Sequence, residues 1–142
     1  MISESDTKYL LEATIPLRLA FVTNSGWPFI VSLWYVYQDQ KLYCATHKSA
    51  KILNHLRSGQ KCAFEIGNNE PPYRGIRGRG TMTLLQGRGE QVLKTLLSRY
   101  LKNVDSPLAK RLLARSQDEI VIEIRLERTY SWDYTKRMRE SI

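Results

Sequence analysis

The chain has few residues of the kinds that make metal or redox centres: two cysteines, Cys44 and Cys62, and two histidines, His47 and His55. The cysteines lack Cys-x-x-Cys spacing, and each sits inside an apolar, strand-like run, so both read as buried, reduced thiols. Cysteine, histidine and acidic residues never cluster at metal-ligand spacing, which argues against a metal site. There is no Gly-x-Ser-x-Gly elbow, and the carboxylates are scattered, so a self-sufficient hydrolase is disfavoured. No run of about 18 apolar residues occurs, so no membrane-spanning helix is expected. The opening residues Met1-Ile2-Ser3-Glu4-Ser5-Asp6 are polar and acidic. No basic stretch leads into an apolar one there, so no secretory signal is expected and the default address is cytoplasmic.

What is present fits a single compact domain. The 142 residues are 42% hydrophobic, enough for a core, and 25% charged, an ordinary surface. The formal net charge is +8. Nucleic acid, an anionic membrane surface or a phosphorylated small molecule could each answer that charge, as could a merely basic surface.

Hydropathy patterning gives the order of elements. Residues 4–13 predict a short helix with Tyr9, Leu10 and Leu11 on its apolar face and Ser5 or Asp6 as cap; Pro16 then breaks it. Leu17 to Thr23 and Pro28 to Tyr37 predict two strands joined by the turn Asn24-Ser25-Gly26. The second is apolar on both faces, with Ile30, Ser32, Trp34 and Val36 on one and Phe29, Val31, Leu33 and Tyr35 on the other. That suggests a barrel interior on one side and a partner subunit on the other. Gln38-Asp39-Gln40 is a turn into a third strand, Lys41 to Thr46. Ile52, Leu53 and Leu56 have helical spacing, so residues 49–58 predict a short helix capped by Ser49 and ended by Gly59. Strands follow at Lys61 to Ile66 and Arg74 to Leu85, the latter with three interior glycines that mark a bulge, a bend or close approach. Helices are expected over 89–102 and from Pro107, then a strand from Glu119 to Glu127, with Thr129 to Tyr134 as one further short strand. Many short strands favour a closed or nearly closed barrel.

Three segments carry candidate chemistry. Thr46-His47-Lys48-Ser49-Ala50-Lys51 joins a strand end to a helix start, bringing hydroxyls, ammonium groups and free N–H groups to one place. It suits a phosphate monoester, and equally an ordinary capped helix with exposed lysines. Arg74, Arg77 and Arg79 alternate with Gly75, Gly78 and Gly80. Arg-Gly clusters occur in RNA-binding tails, but this one runs on into a regular strand, so nucleic acid is disfavoured against a ligand or partner contact or plain surface. Trp132 lies between Ser131 and Asp133, where a stacking or lid role stands beside simple packing. With no evident nucleophile and base, any redox chemistry would come from a cofactor.

Taken in order, RLAFVTNSGWPFIVSLWYVY, KLYCATHKSAKILNHLRSGQKCAFEI, PPYRGIRGRGTMTLL, SRYL and EIRLERTYSWDY resemble the pyridoxamine 5′-phosphate oxidase-like family of flavin-binding proteins. The resemblance covers roughly Ile15 to Tyr134. It implies a mainly β fold with short flanking helices: a six- to seven-stranded antiparallel split barrel of Greek-key order, dimeric, with FMN at the subunit interface. By the same resemblance Val31, Ser32, Leu33 and Trp34 would contact the flavin ring, partly through backbone groups. Ala45 and Thr46 would lie beside the ribityl chain, and Ser49 and Lys51 would hold the phosphate. Arg79 is a further candidate contact, and Trp132 would reach the partner's flavin. Ala50 stands where the oxidases proper have Arg, with His47 and Lys48 as candidates to compensate. The oxidases' C-terminal substrate-binding Arg/His signature is missing, since Arg137 and Arg139 are too loosely placed. The implied activity is that of an FMN-dependent oxidoreductase on a small-molecule substrate. The family's deazaflavin-binding, biliverdin-reducing and haem-binding members imply two alternatives: a deazaflavin-dependent reductase, or a protein that binds or senses the cofactor without turnover.

Overall fold

The computed structural model describes residues 2–139. Helix α1 (Glu4–Glu12) leads into strands β1 (Leu17–Val22) and β2 (Pro28–Leu33), then β3 (Val36–Gln38) and β4 (Lys41–His47). A 3-10 turn (Lys51–Asn54) precedes β5 (Lys61–Gly67) and β6 (Arg74–Leu85). Helices α2 (Gly89–Tyr100) and α3 (Pro107–Ala114), a second 3-10 turn (Ser116–Asp118), β7 (Glu119–Asp133) and α4 (Thr135–Arg139) complete the described residues. The seven strands form one antiparallel sheet in the order β2-β1-β5-β6-β7-β4-β3.

The expected fold is present, and its hydrogen-bonded ladder is not closed. Strands β2 and β3 end the sheet at opposite edges, yet only Trp34 and Tyr35 separate them in sequence. Two residues of chain span at most about 10 Å between the strand ends, so the sheet must curl until its edges approach, leaving a split between them. Leu17, Leu19, Leu42, Ile66, Ile76, Met82, Ile122 and Ile124 fill the interior.

The strand expected over residues 28–37 is therefore two strands. Tyr35 causes the break. Its ring is fully buried, its hydroxyl donates to the Leu10 and Ala13 carbonyls at 2.8 and 3.1 Å, and its N–H donates to the Tyr100 hydroxyl at 3.2 Å. Trp34 stacks on the Tyr100 ring, with centroids 5.1 Å apart and planes 5° from parallel. Arg99 ties the same corner to α1, donating to the carbonyls of Leu10, Leu11 and Ala13 and lying over the Tyr35 ring.

Three further expectations need correction. Ser3 caps α1, accepting from the Asp6 N–H at 3.1 Å, in place of Ser5 or Asp6. The helix expected over 49–58 is a single 3-10 turn, and Ser49 does not cap it; Ala50 holds that position without a side-chain bond. Ile52 and Leu56 still bury, as their spacing requires, but one turn satisfies that spacing. The two last strands are one strand, β7, whose pairing with β6 shifts register between Arg79 and Gly80. At that shift Arg79 opposes Arg128 and Gly80 opposes Leu126, so Glu127 is the extra residue of a bulge.

The glycines of β6 serve close approach. A Cβ on Gly75 would lie 2.7 Å from Trp132 Cζ2 and 2.6 Å from the Ile66 carbonyl oxygen. The edge of the Trp132 ring comes close to both Gly67 and Gly75, where a Cβ would lie 3.0 and 2.7 Å from its Cζ2. Both cysteines are buried and unpaired. Burial raises both thiol pKa values, that of Cys62 to about 12.

Candidate functional site

Two segments meet at the split. The first is the inner face of β2, where Phe29, Val31 and Leu33 are half-buried against the core. The second runs from the end of β4 through the 3-10 turn. His55 at the end of that turn lies against Phe29, ring centroids 5.6 Å apart. Arg57 donates to Asn24 Oδ1, and Gln60 Nε2 donates to the Val22 carbonyl at 3.1 Å. The 51–60 segment thus bridges the gap from β4 to the β1–β2 hairpin. The outer edge of β2 has no strand partner, so alternate backbone N–H and C=O groups there are open to a ligand.

Residues Thr46 to Lys51 form a compact loop at this place. His47 is held from two sides. The Ser49 N–H donates to His47 Nδ1 at 3.1 Å, and Ser49 Oγ lies 2.7 Å from the same nitrogen. His47 Nε2 faces Asp118 Oδ2 at 3.6 Å. Lys48 Nζ reaches Asp118 Oδ1 at 3.1 Å, and the Lys48 N–H donates to the Asp118 carbonyl at 2.8 Å. The Lys48 ammonium, with His47, holds the Asp118 carboxyl below the usual carboxylate range. Glu119, paired with His47 across β4 and β7, is buried with Oε2 lacking a partner, and burial raises its pKa. Lys51 is exposed and makes no ion pair among the described residues. A single 3-10 turn has little dipole to offer and the N–H groups of Lys48, Ser49 and Ala50 are already engaged, so anion binding here would depend on Lys51 and the Ser49 and Thr46 hydroxyls.

The structure sorts the sequence-chosen residues into groups. Thr46, His47, Lys48, Ser49 and Lys51 follow one another from the end of β4 into the 3-10 turn, with Ser49 on His47 and Lys48 on Asp118. Ala45 packs into the cluster of Tyr43, Val92, Leu96 and Val121 beneath α2. Val31 and Leu33 point inward, so they can meet a ligand at the edge only through their backbone. Trp34 is held on Tyr100 between β3 and the helices.

Ser32, Arg79 and Trp132 lie elsewhere, on the outer face of the sheet. One row across that face reads Ser32, Arg18, Glu65, Arg77, Tyr130, and the next Ile30, Ala20, Ala63, Arg79, Arg128. Ala20 and Ala63 floor an open hollow of about 340 Å³ bordered by Arg18, Ile30, Arg77, Arg79 and Tyr130. Arg77 stacks over Trp132 at 5.8 Å. Ile30 is 68% and Val22 57% exposed, an apolar rim beside the arginines.

Asp118, Glu119 and Phe29 belong to the site's surroundings but were not among the sequence candidates. The acid pair Asp118-Glu119 at a strand start was the available signal; its meeting with His47 depends on a register over 70 residues away. Among the described residues no group of three His, Cys, Asp or Glu could hold a metal, and no helix is long and apolar enough to cross a membrane.

Comparison with known proteins agrees with this architecture. Solved structures of the same fold include an F420 reductase, 19% identical over 91% of this chain and 98% of that one, TM-score 0.73. HutZ, the haem storage protein of Vibrio cholerae, is 15% identical over 92% and 94%, TM-score 0.68. An FAD-binding protein of Mesorhizobium loti is 18% identical over 92% of each chain, TM-score 0.63. No curated protein matches in sequence. These likenesses show the split-barrel fold. The family model for pyridoxamine 5′-phosphate oxidase matches residues 3–129, and the chain belongs to that family.

Proposed function

We propose that the chain is an FMN-binding oxidoreductase that acts on a small molecule as a homodimer. The observation that carries this reading is the loop at the split. Lys51 there is exposed and pairs with no acid among the described residues, Thr46 and Ser49 supply hydroxyls just before it in the chain, and His55 at the end of its turn touches Phe29 on the edge strand β2. A phosphate monoester suits the loop, and a planar ring with a donor and acceptor edge suits the strand edge. Bound FMN would supply hydride transfer. The residues of the chain bind the phosphate, orient the ring edge and keep water from one ring face.

The outer face supports the dimer. Arg79 and Trp132 lie there rather than beside Lys51, so their contribution to a cofactor site is most simply made to a second copy's split. A face with exposed Ile30 and Val22, small Ala20 and Ala63, and both Arg and Glu65 is suited to packing against such a copy.

The likeness to the F420 reductase favours one second reading, a deazaflavin-dependent reductase. The same loop and edge would serve it, because both cofactors present a phosphate and a tricyclic ring. Nucleic acid is not part of the reading.

The test compares FMN with riboflavin, which has the ring and no phosphate, on wild type and Lys51→Ala. The expected result is an FMN affinity at least about tenfold above that of riboflavin, with the preference lost in the variant. Equal binding of both flavins by both proteins would refute the phosphate assignment.

A further inference from the structure

The outer face of the sheet gathers positive charge around one small residue. Ala63 of β5 has Ala20 and Arg79 directly across from it and Arg18 and Arg77 on the diagonals. Lys61 and Glu65 lie two residues away along its own strand, on the same face. Neighbours so placed stand roughly 5–8 Å from it, within the length of an arginine side chain. Ala20 and Ala63 floor a hollow of about 340 Å³, so the space between the cations is open. Exposed Ile30 on one side and Tyr130 on the other put apolar surface at its borders.

Acids do not answer this charge. Among the described residues Arg18, Lys61, Arg77 and Arg79 form no ion pair. Glu65 is directly opposite both Arg18 and Arg77 and pairs with neither. Glu127, at the bulge, accepts from the Thr81 hydroxyl at 3.0 Å. Across β6 and β7 Arg79 is opposed by Arg128, and like charges directly opposite cost a sheet stability. Arg18 donates to the Pro16 carbonyl at 3.0 Å, Arg77 lies over Trp132 at 5.8 Å and Arg128 over Tyr130 at 5.3 Å. Those contacts leave each guanidinium with donors to spare. A second copy of the chain does not supply the missing charge. Face to face it would bring the same arginines, and its split brings Asp118, which is paired with Lys48, and Glu119, which is buried.

We propose that this hollow is a second ligand site, separate from the loop at Lys51, and that it binds a small organic oxyanion. A carboxylate or phosphate sits over Ala63, held by Arg18 and Arg77 with Arg79 at the border, and the apolar body lies toward Ile30 or Tyr130. Guanidinium forks match the planar, multiply accepting edge of such groups. The volume suits a ligand of a few to a dozen or so heavy atoms. Glu65 is the competitor within the site: its carboxylate shares the two flanking arginines with any ligand, so it weakens binding and favours release. The site stands independently of what the split holds.

The experiment follows the backbone amide shifts of the full chain by NMR, with FMN already present in excess, as benzoate, phenyl phosphate or benzamide is added. Benzoate and benzamide share a ring and differ in charge. The expected result is saturable shifts at Ala20 and Ala63 with the anions, and binding of benzamide at least about tenfold weaker. Preference for either anion supports the site and names its ligand as a carboxylate or a phosphate monoester. Arg77→Gln should weaken benzoate about threefold to tenfold, with Arg77→Lys between it and wild type. Glu65→Gln should tighten benzoate about twofold to fivefold, a gain that a purely structural Glu65 would not give. Benzamide bound as well as benzoate, or anion shifts confined to the Thr46–Lys51 loop, would overturn the site. So would Ala20 and Ala63 amides that FMN itself shifts and the anions leave unmoved, which would give the hollow to the cofactor. Anions bound at the hollow of a protein that takes up no FMN would uphold this site and refute the flavin reading.

Discussion

The ring of His55 rests on the ring of Phe29, 5.6 Å between centroids, and this contact joins the two sides of the split. Phe29 belongs to an edge strand and His55 to the end of the turn that carries Lys51. Truncating Phe29 should therefore do two things at once. Phe29→Ala is expected to cost about 2 kcal/mol of stability, less than the roughly 3–5 kcal/mol for a fully buried phenylalanine, because Phe29 is only half-buried. It should also weaken FMN binding by more than that loss of stability explains at temperatures where the variant is folded. Chemical denaturation and flavin titration of the same preparation read both effects; unchanged FMN affinity would separate the contact from the site.

Ile30 tests the outer face. Its side chain is 68% exposed at the rim of the arginine-lined hollow, so Ile30→Glu should leave the stability of an isolated chain within about 0.5 kcal/mol. If that face packs against a second copy, the variant sediments as a monomer and loses flavin affinity with it. A dimer that persists unchanged places the interface elsewhere.

Gly75 and Trp132 form a fitted pair. Gly75→Ala would put a methyl 2.7 Å from the indole and 2.6 Å from the Ile66 carbonyl oxygen, so strand and ring must both shift. The expected cost is about 1–3 kcal/mol, with a red shift of tryptophan emission as Trp132 lifts off the sheet. Wild-type stability in the variant would show that the sheet opens there freely.

Glu119 gives a pH signature. Burial holds its carboxyl above the ordinary glutamate value, so between the unfolded and folded values the folded chain binds more protons than the unfolded one. Stability from this group is complete below the ordinary value, near pH 4, and declines as pH rises through the folded value. Glu119→Gln cannot ionise, so its Tm relative to wild type should climb from about pH 4 toward neutrality. A difference constant across that range would contradict the assignment.

Much of the architecture was legible in the sequence because it is written in local period. The alternation of β5 (Lys61–Gly67) and β6 (Arg74–Leu85) and the stripe of α2 (Gly89–Tyr100) come through with nearly the expected bounds. The features that sequence missed depend on distant partners. The break at Trp34 and Tyr35 is made by Tyr100 and by the carbonyls at the end of α1, so the run from Phe29 to Tyr37, apolar but for Ser32, hid it. The bulge at Glu127 reverses the alternation of β7, and one strand read as two. At the site, the loop Thr46 to Lys51 was legible as a cluster of hydroxyls and cations. That Asp118 neutralises Lys48 and faces His47 was not, because only the pairing of β4 with β7 brings it there.

The most direct test of the central claim is the absorption spectrum of the purified protein, with the mass of whatever heat releases from it. The account predicts flavin bands and a released mass of FMN, or the same bands on adding FMN to protein purified without it. A colourless protein that takes up neither FMN nor a deazaflavin would contradict it.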